Sequence, residues 1–567
     1  MKTIPLALAT AALLSAVPAS ADGIVDNVNG MTLDADGKVV HFRAILVGKD
    51  GRVVRLIPVD EPEPAPPKVE RRRKDRDQAP PAPRYDWRAD MKGRVLLPGF
   101  VDAHGHVMGL GLGALTLDLA DATSLADAQS RIRAYAAANP DRPWIVGRGW
   151  NQEAWKLGRF PTAAELDAAA GNRPVWLVRA DGHAGWASTA AMREAGVTAA
   201  TASPAGGRIE KTGAAPSGVF VDSAMTLVGK VVPQPSAKDQ VAAFLKAQEL
   251  LLAQGITAVG DMAVNMDGWM TYRRMGDVGG LRVRLMVYGN GVDETIRIGG
   301  VGPSPWLYDG KLKLTGVKLY ADGALGSRGA WLIDPYADAP GQRGLGFNTD
   351  AQLQNLMSRA AMDGYQVAVH AIGDRANDQV LDAIDELSQT YKGDRRWRVE
   401  HAQVLTQKDV ARFARNGVVA SMQPTHETSD REMAEARLGP ARLPGAYAWR
   451  SVEGTGATLA FGSDFPVERP EPFAGWAAAF TRQGADGQPA GGWQPQERVT
   501  REEAWKAFTQ GGAYAGLAEK QFGRLAPGQF ADFIVVDRDP LLASPADLRA
   551  TVVQETWVGG AKVYTRR

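Results

Sequence analysis

The 567-residue chain contains no cysteine. That excludes disulfide staples, thiolate metal ligands and a cysteine nucleophile together. An excess of charge of one sign is also missing. Lys and Arg number 65 against 64 Asp and Glu, a net charge of +1, so no nucleic-acid surface is expected. Histidine is scarce, with seven in all. Long apolar runs are lacking too. The run from Ile4 to Val17 is too short to span a bilayer comfortably, and no second stretch is long enough for a membrane helix. Flanked by Lys2 and Ala19-Ser20-Ala21, that run reads as a cleavable secretory signal over 1–21. The expectation is a mature chain beginning near Asp22 in a bacterial periplasm, without stable membrane insertion.

What is present suits a large domain plus a smaller one, since 45% of the residues are apolar. From 22 to 97 the text is short apolar runs with turn signals. Phe42 to Val47 and Val53 to Ile57 flank Lys49-Asp50-Gly51 in a hairpin pattern. The last part, 501–567, holds a helix and then reads the same way, with a strand at Phe530 to Val536 and two more joined by Gly559-Gly560. The two chain ends are therefore expected to build one small β-sandwich domain. Its His41 is expected to be merely exposed. Within it, 58–85 is rich in proline and charge and includes Glu70-Arg71-Arg72-Arg73-Lys74, too polar to bury much surface.

Between 98 and 500, strand and helix patterns alternate. Strands are expected after Gly99, at Ile256 to Val259, Leu281 to Tyr288, Leu312 to Tyr320, Tyr365 to Ala371, Trp397 to His401, Val418 to Gln423 and Ala457 to Gly462. Eight strands in a β-then-α rhythm predict an α/β fold, a (β/α)₈ TIM barrel. The Trp-, Gly- and Pro-rich segment 142–235 interrupts the rhythm and reads as an inserted lid subdomain.

In such barrels the site lies at the C-terminal strand ends. The first strand ends in His104-Gly105-His106, whose alternate side chains share a face. The fourth carries Lys318, the fifth ends in His370, the sixth in His401 and the eighth in Asp464. A lone His-Xaa-His pair is weak evidence for metal. Six such groups from five strands at one mouth are strong evidence. Lys318 in a plain salt bridge would leave a single-metal site open.

These residues resemble the amidohydrolase superfamily of metal-dependent hydrolases, in its amidohydrolase-3 branch, which includes N-substituted formamide deformylases. The similarity runs over nearly the whole mature chain. It also covers Ala321-Asp322-Gly323-Ala324-Leu325-Gly326-Ser327-Arg328, His370-Ala371-Ile372-Gly373-Asp374, Gln423-Pro424-Thr425-His426, Gly462-Ser463-Asp464-Phe465-Pro466 and Leu525-Ala526-Pro527-Gly528. The resemblance implies two metals, zinc by type. His104, His106 and Asp464 hold one, His370 and His401 the other, and Lys318 bridges them as an N-carboxylated lysine. A protonated ammonium beside two dications is disfavoured, which fits such a modification. Asp464 is then both ligand and general base.

His183 resembles a lid motif of the branch, although Trp186-Ala187-Ser188-Thr189 stands where Asn-Ser commonly follows the Trp. With His426, Trp150 and Arg328 it is a candidate substrate-binding residue. Trp150, Trp155 and Trp186 are candidate walls of an apolar pocket. The function expected is hydrolysis of a non-peptide C–N bond in a small, uncharged or weakly polar molecule. An esterase or lactonase on the same site is the alternative, and an inactive periplasmic binding protein a third reading. Partners beyond the substrate are not implied, although a homodimer is compatible with the sequence.

Overall fold

The computed structural model describes residues 22–61 and 85–567. The segment 1–21, read as a secretory signal, and most of the basic insertion, 62–84, lie outside the described residues.

Eight parallel strands form the central sheet: β1 (Phe100–Gly105), β2 (Ile256–Val264), β3 (Arg284–Asn290), β4 (Leu312–Tyr320), β5 (Gln366–Ala371), β6 (Arg398–His401), β7 (Val419–Met422) and β8 (Thr458–Phe461). Each pairs with the next in register order from β1 to β8. Their near-continuous burial is what a sheet covered on both faces requires. Helices such as Ala237–Ala253, Asp350–Met362 and Asp374–Thr390 pack outside it. Between β6 and β7 the helical stretch is two short turns, Gln407–Val410 and Arg412–Arg415.

The sheet is a nearly closed barrel. No strand ladder joins β1 to β8; hydrogen bonds at their C-terminal ends close the gap instead. Asp464 N–H donates to His104 O at 2.8 Å, and His106 N–H donates to Phe465 O at 2.8 Å. The carboxylate of Asp102 accepts from Ser463 N–H at 3.1 Å and from Ser463 Oγ at 2.7 Å. The chains approach so closely here that a Cβ on Gly462 would lie 2.7 Å from His104 N, so only glycine fits. Lower down, the helical segment 501–515 covers the seam, with Gly511 against Leu459 O and Gly512 against Val101 O.

Two further sheets flank the barrel. Both chain ends contribute to a nine-stranded sheet, in which Phe533–Val536 runs antiparallel to Val95–Pro98. In hydrogen-bonding terms it is one sheet rather than the sandwich of two read from the sequence. Between β1 and β2 a six-stranded sheet is inserted. It starts at Leu117–Asp118, earlier than the 142 read from composition, because those two residues pair with Ile145–Trp150.

A buried ion pair ties the terminal sheet to the barrel. Arg284 on β3 grips Asp532 through Nε at 2.6 Å and Nη2 at 2.8 Å, and its guanidinium lies 3.7 Å over the Phe530 ring. Removing one partner strands a buried charge. Asp532→Ala is expected to lower stability to urea by about 3–5 kcal/mol, and Arg284→Met combined with Asp532→Leu to recover most of it. Denaturation midpoints of the three variants check this.

Candidate metal centre

On β1, Asp102, His104 and His106 alternate with apolar or small residues and share the inner face. Each then takes a separate task. Asp102 closes the seam, and burial pushes its carboxyl up to about 7. His104 is fully buried, and its Nδ1 lies 2.6 Å from Glu400 Oε2. His106 Nδ1 lies 3.1 Å from Met262 O. A carbonyl can only accept, so His106 donates from Nδ1 and directs Nε2 toward Asp464.

Glu400 is ionised. Burial opposes its charge, but the Arg398 guanidinium and the His104 hydrogen bond hold it well below the carboxylate range. His104 therefore donates from Nδ1 as well, and its Nε2 is left as an acceptor. Burial, with the Lys318 charge, pushes His104 down to about 4, so the ring is neutral at physiological pH. Burial likewise holds His370 and His401 well below the ordinary imidazole range. Neutral imidazole is the form that binds metal.

Strand alternation would point His401 away from Glu400, yet both face the site. His401 adopts a left-handed φ of 72°, which turns its ring back toward His104 with centroids 4.8 Å apart. Asp464 has the same kind of backbone, with φ 57°. Strain of this kind persists only where surrounding contacts impose it. For His401 one such contact is Gln423 Oε1, 2.8 Å from its Nδ1.

The Nε2 atoms of His104 and His106 converge on Asp464. Its Oδ1 is 3.1 Å from His106 Nε2 and 3.5 Å from His104 Nε2, yet it is buried and makes no hydrogen bond. Two imidazole nitrogens and a carboxylate oxygen gathered at this range suit a cation between them. The donor set thus fits a divalent metal. His401, His426 and Asp464 form a second such group, and His426 Nε2 is likewise buried and unpartnered. The second group differs from the His370 and His401 pair read from the sequence. His370 directs Nε2 to Gly323 O at 3.3 Å, and its ring centroid lies 4.6 Å from that of His401. Lys318 is buried, with Nζ 3.3 Å from His104 Nε2, and burial pushes its ammonium down to about 8.

All of these side chains open into one cavity of about 1770 Å³. His183 also lines it, 5.0 Å from His370 between ring centroids, with Nδ1 2.7 Å from Asp222 Oδ1. Burial lowers the pKa of His183, but Asp222 outweighs that and raises it overall. A smaller cavity of about 520 Å³, beside Thr458 at the start of β8, shares no lining residue with the first.

Two candidate substrate residues lie elsewhere. Trp150 is fully buried in the core of the inserted sheet, against Trp186, with its indole N–H donating to Leu177 O at 2.8 Å. Trp155 and Trp186 are core residues there too, so no tryptophan wall faces the site. Arg328 turns away to Asp338, 2.9 Å from its Nη2, and does not line the cavity. Sequence reasoning missed Glu400, Gln423 and Asp222, which orient the imidazoles. Glu400 could have been found from its place immediately before His401.

Comparison with known proteins agrees with this arrangement. Residues 89–564 match the family model described as "Amidohydrolase family". Protein LONG AFTER FAR-RED 3 of Arabidopsis thaliana is 31% identical over 494 residues, covering 84% of this chain and 83% of that protein. An N-substituted formamide deformylase from Arthrobacter pascens is 28% identical over 500 residues, covering 84% and 90%. Among solved structures, an uncharacterized metal-dependent hydrolase from Pyrococcus horikoshii OT3 superposes with a TM-score of 0.72 at 26% identity, covering 92% of this chain and 99% of that one. The chain belongs to the amidohydrolase family. Membership implies a hydrolase that depends on a divalent metal.

A carboxylate that fixes a liganding histidine sets metal affinity. Glu400→Gln is expected to weaken metal retention by about 10–100-fold. Competition against a graded series of chelators measures it, and unchanged retention would remove Glu400 from the site.

Proposed function

We propose that this protein hydrolyses a non-peptide C–N bond of the amide or formamide kind. The observation that carries the reading is the convergence of the His104 and His106 Nε2 atoms on a buried Asp464 oxygen, at the mouth of a barrel in this family. The formamide-cleaving relative supports the choice of bond.

In this reading His104, His106 and Asp464 hold one divalent ion, and His370 and His401 the second. The donor set of imidazole and carboxylate suits zinc. Lys318 joins the two as an N-carboxylated bridge. Its burial supports this, because the neutral amine is the form that combines with carbon dioxide and burial favours it. When bound, the metal supplies Lewis acidity toward the scissile carbonyl and acidifies water.

The side chains do the rest. Asp464 accepts the proton of the attacking water and returns it to the leaving nitrogen. Glu400 and Met262 O keep His104 and His106 turned with Nε2 inward. Asp222 holds His183 at the cavity wall, where its other ring nitrogen can meet the substrate. His426 stands beside Asp464 to hydrogen-bond a substrate carbonyl.

The purified protein is expected to carry about two metals per chain, falling to one or none in Lys318→Ala, by elemental analysis. One metal in both would leave a mononuclear site and remove Lys318 from the mechanism. Asp464→Asn is expected to cut kcat by about 10²–10⁴-fold. Rates on matched amide and ester pairs decide the bond. Retention of much of the rate on the amide supports the proposal, and near-complete loss there makes the protein an esterase.

A further inference from the structure

Among the described residues, one arginine of the cavity wall has no carboxylate within salt-bridge distance. Arg148 stands on the inserted strand Ile145–Trp150 and lines the cavity. Two of its five N–H groups are committed. Nη1 donates to Pro466 O, and Nη2 donates to Ala180 O at 3.0 Å. Both acceptors are carbonyls. Among the described residues no carboxylate oxygen lies within 4.0 Å of this guanidinium.

Its neighbours on the same wall differ. Arg179 is held by Asp181 at 2.5 Å, Arg469 by Asp121 at 2.6 Å and Arg431 by Glu432 at 3.6 Å. Arg148 is therefore the exception among the four arginines of a cavity that carries ten acidic residues in its lining. Burial pushes it down to about 10, against the longer-range pull of Asp118, Asp464 and Asp181, so it stays cationic at neutral pH. An unpaired, largely desolvated charge is unfavourable unless a partner arrives. The two committed bonds also fix where that partner must sit. They pin the guanidinium between the inserted sheet and the segment two residues beyond Asp464, beside the proposed base. The remaining N–H groups form part of a planar fork, which matches a carboxylate better than any neutral acceptor.

We propose that Arg148 receives a carboxylate carried by the substrate close to its scissile bond. Resting on the amide-hydrolase reading above, this narrows the substrate class to N-acyl or N-formyl amides that bear an acid group. It also replaces the uncharged substrate suggested by the tryptophans, which the fold has taken into its core.

The test separates binding from turnover. Calorimetry on the metal-replete protein compares N-methanesulfonyl-phenylalanine with N-methanesulfonyl-phenethylamine, a non-hydrolysable pair that differs only in the carboxylate. The wild type is expected to bind the acid tighter by about tenfold or more. Arg148→Met should level the two ligands by weakening the acid alone, and Arg148→Lys, which keeps the charge but not the fork, should retain part of the preference. Equal affinities in the wild type would overturn the proposal. So would a Met variant that weakens both ligands alike, since that is the behaviour of a bridge between sheet and barrel. Hydrolysis of the corresponding N-formyl pair is scored separately. Selective binding without turnover would sink the amide-hydrolase reading and leave the carboxylate site standing.

Discussion

The structure depends on one carboxylate at the centre of the barrel. Glu400 accepts from Arg398 through both oxygens, at 2.7 and 3.0 Å, and receives the Nδ1 proton of His104 at 2.6 Å. Arg398 in turn donates to Ala103 O on β1, Tyr288 Oη on β3 and Ser421 Oγ on β7. A single buried ion pair thus reaches four of the eight strands. Desolvating such a pair is unfavourable, and it is stable only because nearly every donor and acceptor has a partner. The same contacts that hold the interior together choose the tautomer of the first liganding histidine.

The inserted sheet has a different physical character. Its tryptophans fill its own interior, and its polar strand ends, bearing Arg148, Arg179 and His183, face the barrel mouth. The wall that this sheet gives the cavity is therefore charged and hydrogen-bonding, with the aromatic groups packed behind it.

Much of this was legible in the sequence, for identifiable reasons. The eight strands showed because buried parallel strands are apolar runs broken by turns. The histidines of the cavity showed because seven are few enough for four at strand ends to stand out. Trp150 and Arg328 misled, since an indole or a guanidinium near a motif reads the same whether it faces a cavity or a core. Trp150 found an internal carbonyl, and Arg328 an aspartate ten residues on. The place of His426 beside Asp464 was not legible as a ligand position. It depends on the turn that opens the helix Pro424–Leu438 and on positive φ at Asp464, neither of which leaves a spacing pattern.

The seam between β1 and β8 has a consequence for biosynthesis. His104 and His106 are made early, but the backbone and carboxylate that complete their site belong to Asp464, some 360 residues later, and the segment that covers the seam follows at 501–515. A ribosome must therefore deliver most of the chain before the first histidines meet their third partner. Such distant closure is slow and leaves strand edges open meanwhile. Metal capture is thus a late event in the life of the nascent protein, and a chain released short of Asp464 carries no complete site.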